Sequence, residues 1–125
     1  MRILIVKLSS LGDLFHALPA VAQVKAATGA EIDWVVNEAY AELVGRFAPV
    51  SRVIRFPREQ FVSHSVPFFR ALRRERYDLV LDMQGLLKSA LVARGARAAR
   101  IVGPSFHREG SHLFYHAVTG PRNKD

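Results

Sequence analysis

The sequence contains no cysteine, so disulfide bonds and thiolate metal sites are excluded. No apolar run approaches the roughly 20 residues that a membrane-spanning helix needs. The apolar start resembles a secretion signal only briefly, because Lys7, Asp13 and His16 interrupt it. The lack of cysteine is compatible with a reducing cytoplasm without proving it, and the lack of a span predicts a protein that is soluble or, at most, bound to a membrane surface.

Motifs for nucleotides and metals are also incomplete. The turn after the first apolar run has one glycine, Gly12, where a dinucleotide-binding loop needs three, and no phosphate loop is present. His112 and His116 are four residues apart, with His107 nearby, but Leu113 stands where a zinc hydrolase needs glutamate. The sequence therefore predicts no metal site and no bound cofactor.

The composition that remains is that of a basic globular domain. Half of the 125 residues are apolar and 23% are charged, which excludes a disordered chain. The net charge is +7, from 18 Lys and Arg against 11 Asp and Glu. Such an excess favours nucleic acid, a phosphorylated glycolipid or an anionic membrane as partner, and it equally suits a merely soluble basic surface.

Five short runs rich in β-branched residues are typical of buried strands. They cover residues 2–8, 31–36, 52–56, 77–83 and 100–102. The spacing of apolar residues predicts a helix that follows Asp13 and ends at Gly29, and further helices at residues 39–47, 59–76, 86–93 and 111–118. Strands that alternate with helices predict an α/β fold, a Rossmann-like parallel sheet flanked by helices over residues 1–120, with a tail at 121–125.

Details of these helices depend on single residues. Pro19 is expected to kink or break the first helix, and Pro67 to divide the one at 59–76. Ser111 is expected to cap the last helix.

Arg70, Arg73 and Arg74 share one face of a predicted helix. This face could bind an anionic surface or could simply be exposed to solvent.

The turn after the first strand is the first place to look for a site, because ligands bind beyond the carboxyl ends of parallel strands. Gly12 permits backbone angles that other residues avoid and lets a ligand approach closely. Asp13 is either a helix cap or a general base, and spacing alone favours the cap. Lys7 either reaches past the sheet edge to water or holds a carboxylate or phosphate.

Several segments resemble the lipopolysaccharide heptosyltransferases of glycosyltransferase family 9. They are MRILIVKLSSLGDLFHALPA, EIDWVVNEAYAEL, DLVLDMQGLLKSALVAR and REGSHLFYH. The resemblance covers most of residues 1–118, is poor at 57–70, and is closer to type I members than to type II.

The resemblance implies two facing Rossmann-like domains, the GT-B arrangement, with the active site between them. The N-terminal domain holds the acceptor, the Kdo sugars of Kdo2-lipid A, and the C-terminal domain holds the donor, ADP-heptose. Heptose is transferred with inversion and without a metal. Since family members are much longer, we expect this chain to be the acceptor-binding domain, to lack the donor domain and to be inactive alone.

The resemblance also assigns residues. Asp13 matches the family's proposed catalytic base, which reverses the preference for a cap, and Lys7 and Ser10 match positions that line the cleft near that base. Gln84 and Lys88 fall in the family's QGLxKS stretch, although Gln84 and Gly85 also suit a simple turn.

An Arg-Glu pair of the family is matched by Arg108 and Glu109. There Arg108 is expected to grip a Kdo carboxylate or a lipid A phosphate through paired hydrogen bonds. A polyanionic acceptor at the cytoplasmic face of the inner membrane agrees with the basic composition. No nucleic-acid partner is expected.

Two other hypotheses remain open. The first is a Rossmann-like module that binds nucleic acid or another polyanion without catalysis; it shares the charge but lacks the aromatic-basic signatures of common modules. The second is a truncated, inactive chain that pairs with a partner or with itself through exposed apolar surface.

Overall fold

The computed structural model describes residues 1–57, 61–85, 87–103 and 117–118. Its strands are β1 (Arg2–Val6), β2 (Glu31–Asn37), β3 (Arg52–Phe56), β4 (Arg76–Tyr77), β5 (Leu79–Asp82), β6 (Arg97–Ala98), β7 (Ile101–Gly103) and β8 (Ala117–Val118). Its helices are α1 (Leu11–Thr28), a 3-10 turn (Glu38–Tyr40), α2 (Ala41–Gly45), α3 (Phe61–Leu72) and α4 (Leu87–Gly95).

The main sheet has six strands in the order β3-β2-β1-β5-β7-β8, all of them parallel. The chain moves outward from β1 to β3, then crosses back and moves outward on the other side through β5 to β8. The order therefore reverses between β1 and β5, and ligands of such sheets bind beyond the carboxyl ends at this point. The predicted Rossmann-like α/β fold is confirmed, with all five predicted strands present.

Alternate residues of each strand point to opposite faces of the sheet, which gives the domain two apolar cores. The α1 face is covered by α1 and α2, and its core includes Ile5, Leu14, Val21, Trp34 and Val44. The α3 face is covered by α3 and α4, and its core includes Val6, Phe68, Leu72, Val80 and Val92. Both faces of a parallel sheet are normally covered in this way.

Two prolines were expected to interrupt their helices, but neither helix is broken at its proline. Pro19 lies inside α1, which runs unbroken to Thr28, and Pro67 lies inside α3 instead of dividing it. A proline removes one backbone hydrogen bond. Burial of Val21 after the first proline and of Phe68 after the second offsets this local loss.

The predicted helix at 111–118 is wrong at its end. Ala117 and Val118 form β8, which pairs with Val102 and Gly103 of β7, so their backbone groups are satisfied by a strand. Residues 111–116, including the expected cap Ser111, lie outside the described residues. The predicted strand at 77–83 is also divided, since Tyr77 belongs to β4, which pairs with β6 in a separate two-stranded sheet.

A buried carboxylate lies at the amino end of the sheet, remote from the expected site. Asp33 is fully buried and accepts hydrogen bonds from Tyr77 Oη at 2.6 Å, Arg2 Nη1 at 3.2 Å and Arg52 Nε at 3.3 Å. Burial and the Asp33 carboxylate both raise the pKa of the Tyr77 hydroxyl. This network joins β1, β2, β3 and β4, and its role is structural.

Candidate active site

Two loops meet where the strand order reverses. The Lys7 ammonium donates to the carbonyl oxygen of Met83 at 3.4 Å. Gln84 Oε1 accepts the backbone N–H groups of Leu8, at 3.1 Å, and of Ser9, at 3.5 Å. The loop after β1 and the loop after β5 are therefore fixed to each other by side chains of the predicted site.

The loop after β1 is also fixed on its other side by β2. Trp34 Nε1 donates to the carbonyl oxygen of Lys7 at 3.0 Å, and the Asn37 N–H donates to that of Leu8 at 3.0 Å. Asn37 is 4% exposed, and its Oδ1 has no hydrogen-bond partner among the described residues. Neither Trp34 nor Asn37 was singled out from the sequence. Asn37 could have been noticed, because it is a polar residue at the end of an apolar run.

Asp13 lies exposed in the first turn of α1, at the same edge. The helix begins at Leu11, so Ser10 is the N-cap and Asp13 the third helical residue. Both the Ser10 N–H, at 3.4 Å, and the Ser10 Oγ, at 3.2 Å, donate to Asp13 Oδ2. The predicted cap is therefore shifted: Asp13 supports the helix start from inside it.

The surroundings of Asp13 favour its ionised form. Hydrogen bonds from the Ser10 backbone and side chain lower the pKa of the Asp13 carboxyl below its usual value of 3.8, and the positive charge of Lys7 acts in the same direction. Both hydrogen bonds use Oδ2, and Oδ1 accepts none from the described residues. The carboxylate is thus charged at neutral pH, with one oxygen free to accept a proton.

Gly12 differs from the expectation in one respect. It lies inside α1, and the glycines with positive φ in the described part of the chain are Gly29 and Gly85. Unusual backbone angles therefore do not explain Gly12. Apart from its chain neighbours and the nearby backbone of α1, no described atom lies within 4 Å of the place where a Cβ would stand, so the space beside the helix start is open for a ligand.

The turn after β5 is built on Asp82, which sequence reasoning overlooked. Its buried carboxylate accepts the N–H groups of Gln84, at 3.0 Å, and Gly85, at 3.2 Å, and the Ser89 hydroxyl at 3.1 Å. Gly85 has a φ of 76°, which favours glycine. The turn orients Gln84 toward the loop after β1.

The remaining predicted site residues are only partly located. Lys88 belongs to α4, directly after this turn, but its side chain lies outside what the structure describes. Arg108 and Glu109 lie outside the described residues, as do His107, His112 and His116. Their proposed contacts therefore stay predictions.

An apolar cavity of about 290 Å³ lies beneath the same edge, between α1 and strands β1, β5 and β7. Its wall includes Ala20, Val24, Leu81, Met83 and Val102. Met83 thus joins the cavity to the Lys7 ammonium, which binds its carbonyl oxygen. Within the described ranges, no cluster of acidic and histidine side chains is suited to a metal ion, and no helix is long and apolar enough to span a membrane.

Comparison with known proteins agrees with this architecture. Residues 66–122 match the model of glycosyltransferase family 9 (heptosyltransferase). Lipopolysaccharide heptosyltransferase 1 of Escherichia coli K12 is 43% identical over 80% of this chain and 35% of that protein. The corresponding protein of Pseudomonas aeruginosa PAO1 is 38% identical over 82% of this chain and 32% of that protein.

A solved structure gives the same result. The E. coli heptosyltransferase WaaC with ADP superposes with a TM-score of 0.86 at 36% identity, over 95% of this chain and 41% of that chain. The chain spans about a third of the length of the curated relatives that it matches. These matches identify it as a homologue of the glycosyltransferase family 9 heptosyltransferases that corresponds to their N-terminal portion.

Proposed function

We propose that this chain is the acceptor-binding domain of an inverting heptosyltransferase, which transfers heptose from ADP-heptose to a Kdo sugar of Kdo2-lipid A. The observation that carries the proposal is the position of Asp13. Its charged carboxylate lies exposed at the carboxyl edge where the strand order reverses, beside the Lys7 ammonium that lowers its pKa. A base beside a cation suits an anionic acceptor that must lose a hydroxyl proton.

In the proposed reaction Asp13 is the general base. The acceptor hydroxyl oxygen forms a bond to the anomeric carbon of heptose as the bond from that carbon to the ADP oxygen breaks. The hydroxyl proton passes to the free Oδ1 of Asp13, and ADP leaves with the bonding electron pair. A carboxylate of lowered pKa is a weak base, so the proton moves late, when the hydroxyl has become strongly acidic.

The other predicted residues hold the acceptor. Lys7 provides a positive charge for a Kdo carboxylate, and Arg108 with Glu109 completes the acceptor side. Ser10 fixes the carboxylate of Asp13 through two hydrogen bonds, while Gly12 leaves open space. Gln84 fixes the loop that carries Ser10, and Lys88 follows in the same turn-helix segment.

We infer that the donor, ADP-heptose, binds the portion of the relatives that this chain does not match. We therefore infer that residues 1–120 act as one domain on the cytoplasmic side of the inner membrane and do not transfer heptose alone. Detectable transfer by the isolated chain, abolished in Asp13→Ala, would overturn this inference.

A chimera tests the proposed base directly. Residues 1–118 of this chain would replace the matching portion of E. coli heptosyltransferase 1, and heptose transfer to Kdo2-lipid A would be measured. We expect an active chimera, and a loss of about 10²- to 10⁴-fold in kcat for Asp13→Ala. Equal activity of chimera and variant would exclude Asp13 as the base.

A further inference from the structure

We propose that the outer surface of α3 and α4 is a membrane-docking face that binds anionic phospholipid. The segments 61–74 and 87–98, which contain these helices, hold six of the chain's Lys and Arg residues and no Asp or Glu. No similar excess occurs on the α1 face, where Lys25 and Arg46 are accompanied by Asp13, Glu38 and Glu42. The basic character of the chain is therefore concentrated on one side of the sheet.

Four arginines line a single groove of about 970 Å³ on this face, namely Arg70, Arg73, Arg74 and Arg97. All four are exposed, and none forms an ion pair with a carboxylate in the part of the chain that the structure describes. Guanidinium groups without carboxylate partners attract phosphate, which they bind through paired hydrogen bonds.

Exposed apolar side chains accompany these charges. Val66 of α3 lines the groove and is 63% exposed, and Leu91 of α4 is 48% exposed. Arginines around exposed aliphatic residues are typical of helices that lie in a membrane interface. Ser65 and Phe69 also line the groove, but the Phe69 ring packs against Phe68 and Gly95, whereas single-stranded nucleic acid binds to exposed aromatic rings on which bases stack. The combination favours a bilayer as the partner.

The two helices form one continuous surface. Arg73 Nη1 donates to the carbonyl oxygen of Gly95, at the end of α4, at 2.8 Å. Gly95 lets the helices approach closely, since a Cβ there would stand 2.5 Å from the Phe69 ring. The arginines at the C-terminal end of α3 and in the segment after α4 are therefore presented on one joined surface.

The position of this face relative to Asp13 suits a lipid-linked acceptor. A bilayer against α3 and α4 would run alongside the sheet, separated from it by one helix layer of about 10 Å. The carboxyl edge with Asp13 would then open sideways along the bilayer, within reach of a sugar on a lipid. Only this last point depends on the proposed function, because vesicle binding itself requires no acceptor.

Vesicle sedimentation of the chain tests the proposal, with phosphatidylcholine vesicles compared with mixed phosphatidylcholine and phosphatidylglycerol vesicles. We expect binding only to the anionic vesicles, and at least about tenfold weaker partitioning for the double variant Arg70→Glu/Arg74→Glu. The double variant Lys25→Glu/Arg46→Glu has the same net charge but changes residues on the opposite, α1 face of the sheet, and it should bind like the parent. Val66→Asp should also weaken binding.

Three results would overturn the proposal: no preference for anionic vesicles, equal loss in both double variants, or equally tight binding of a DNA duplex. Hydrogen exchange of the unaltered chain gives an answer that does not depend on the folding of any variant. Vesicles should slow exchange in α3 and α4 more than in α1, and equal or absent protection would contradict the assigned face. Because these vesicles contain no acceptor, failure here leaves the proposed role of Asp13 untouched.

Discussion

The side chain of Gln84 accepts the backbone N–H of Leu8 at 3.1 Å, which joins the loop after β5 to the loop that leads into Asp13. The two residues are 76 positions apart in the sequence. Through this contact the geometry of the candidate base depends on the turn that Asp82 builds.

Replacing Gln84 should therefore loosen the site. In Gln84→Ala we expect the amide signals of residues 7–13 to shift or broaden and the free energy of unfolding to fall by about 0.5–1.5 kcal/mol, the usual net value of such hydrogen bonds. NMR and urea unfolding measure the two effects. Gln23→Ala, an exposed position in α1, is the matched control, and identical behaviour of both variants would refute the role of Gln84.

Removing the hydroxyl of Ser10 should raise the pKa of Asp13. The Ser10 side-chain hydrogen bond stabilises the charged carboxylate, so in Ser10→Ala the pKa should return toward 3.8. An NMR titration of the Asp13 carboxyl carbon measures this change. An unchanged pKa would mean that the hydroxyl contributes nothing to the charged state.

The same shift makes stability depend on pH. Because the pKa of Asp13 is lower in the folded chain, its contribution to stability is fully present above the ordinary value of 3.8 and is lost as the pH falls through the lower folded value. Urea unfolding of the parent and Asp13→Asn should therefore differ at neutral pH and converge in strong acid. A difference that grows on acidification would contradict the sign.

The Asp33 network should be sensitive to one missing donor. Tyr77→Phe removes the 2.6 Å hydrogen bond to a fully buried carboxylate, which keeps only its guanidinium donors, and it also removes the oxygen that accepts from Arg52 Nη2. We expect a loss of about 1–3 kcal/mol in the free energy of unfolding. Tyr40→Phe, at a half-buried position, serves as control and should change little; equal stability of both variants would contradict the account.

Two glycine variants should have different effects: Gly95→Ala should lower stability, and Gly12→Ala should weaken acceptor binding. Gly95→Ala places a Cβ 2.5 Å from the Phe69 ring and should cost about 1–3 kcal/mol of stability. Gly12→Ala meets no described atom within 4 Å and should keep or slightly raise stability, since alanine favours a helix by about 1 kcal/mol. Its expected defect is weaker acceptor binding. Thermal unfolding and acceptor titration compare them, and unchanged binding in Gly12→Ala would show that the open space is not used.

The fold was predictable because its signals are local. The β-branched runs of the main strands and the helix end at Gly29, which has a φ of 68°, are visible in single segments of sequence. The strands β4 and β6 were not predictable, since two residues carry no periodic pattern and their pairing depends on the packing of α3 and α4.

The candidate site was predictable only in part. The residue types and the resemblance pointed to Lys7 and Asp13, and the structure places both at one sheet edge. Asp82 and Asn37 were missed because a polar residue in a strand gives no sign of its partners until distant loops are brought together. Asp33 was missed for the same reason.

Whether this chain holds an acceptor site is tested by titrating it with water-soluble, deacylated Kdo2-lipid A, followed by NMR. Heparin and an oligonucleotide are the polyanion controls. We expect saturable binding, preferred over both controls, with signal shifts around Lys7, Asp13 and Arg108. Equal binding of all three ligands, weakened alike by salt, would instead identify a nonspecific basic surface and contradict the assignment of an acceptor site.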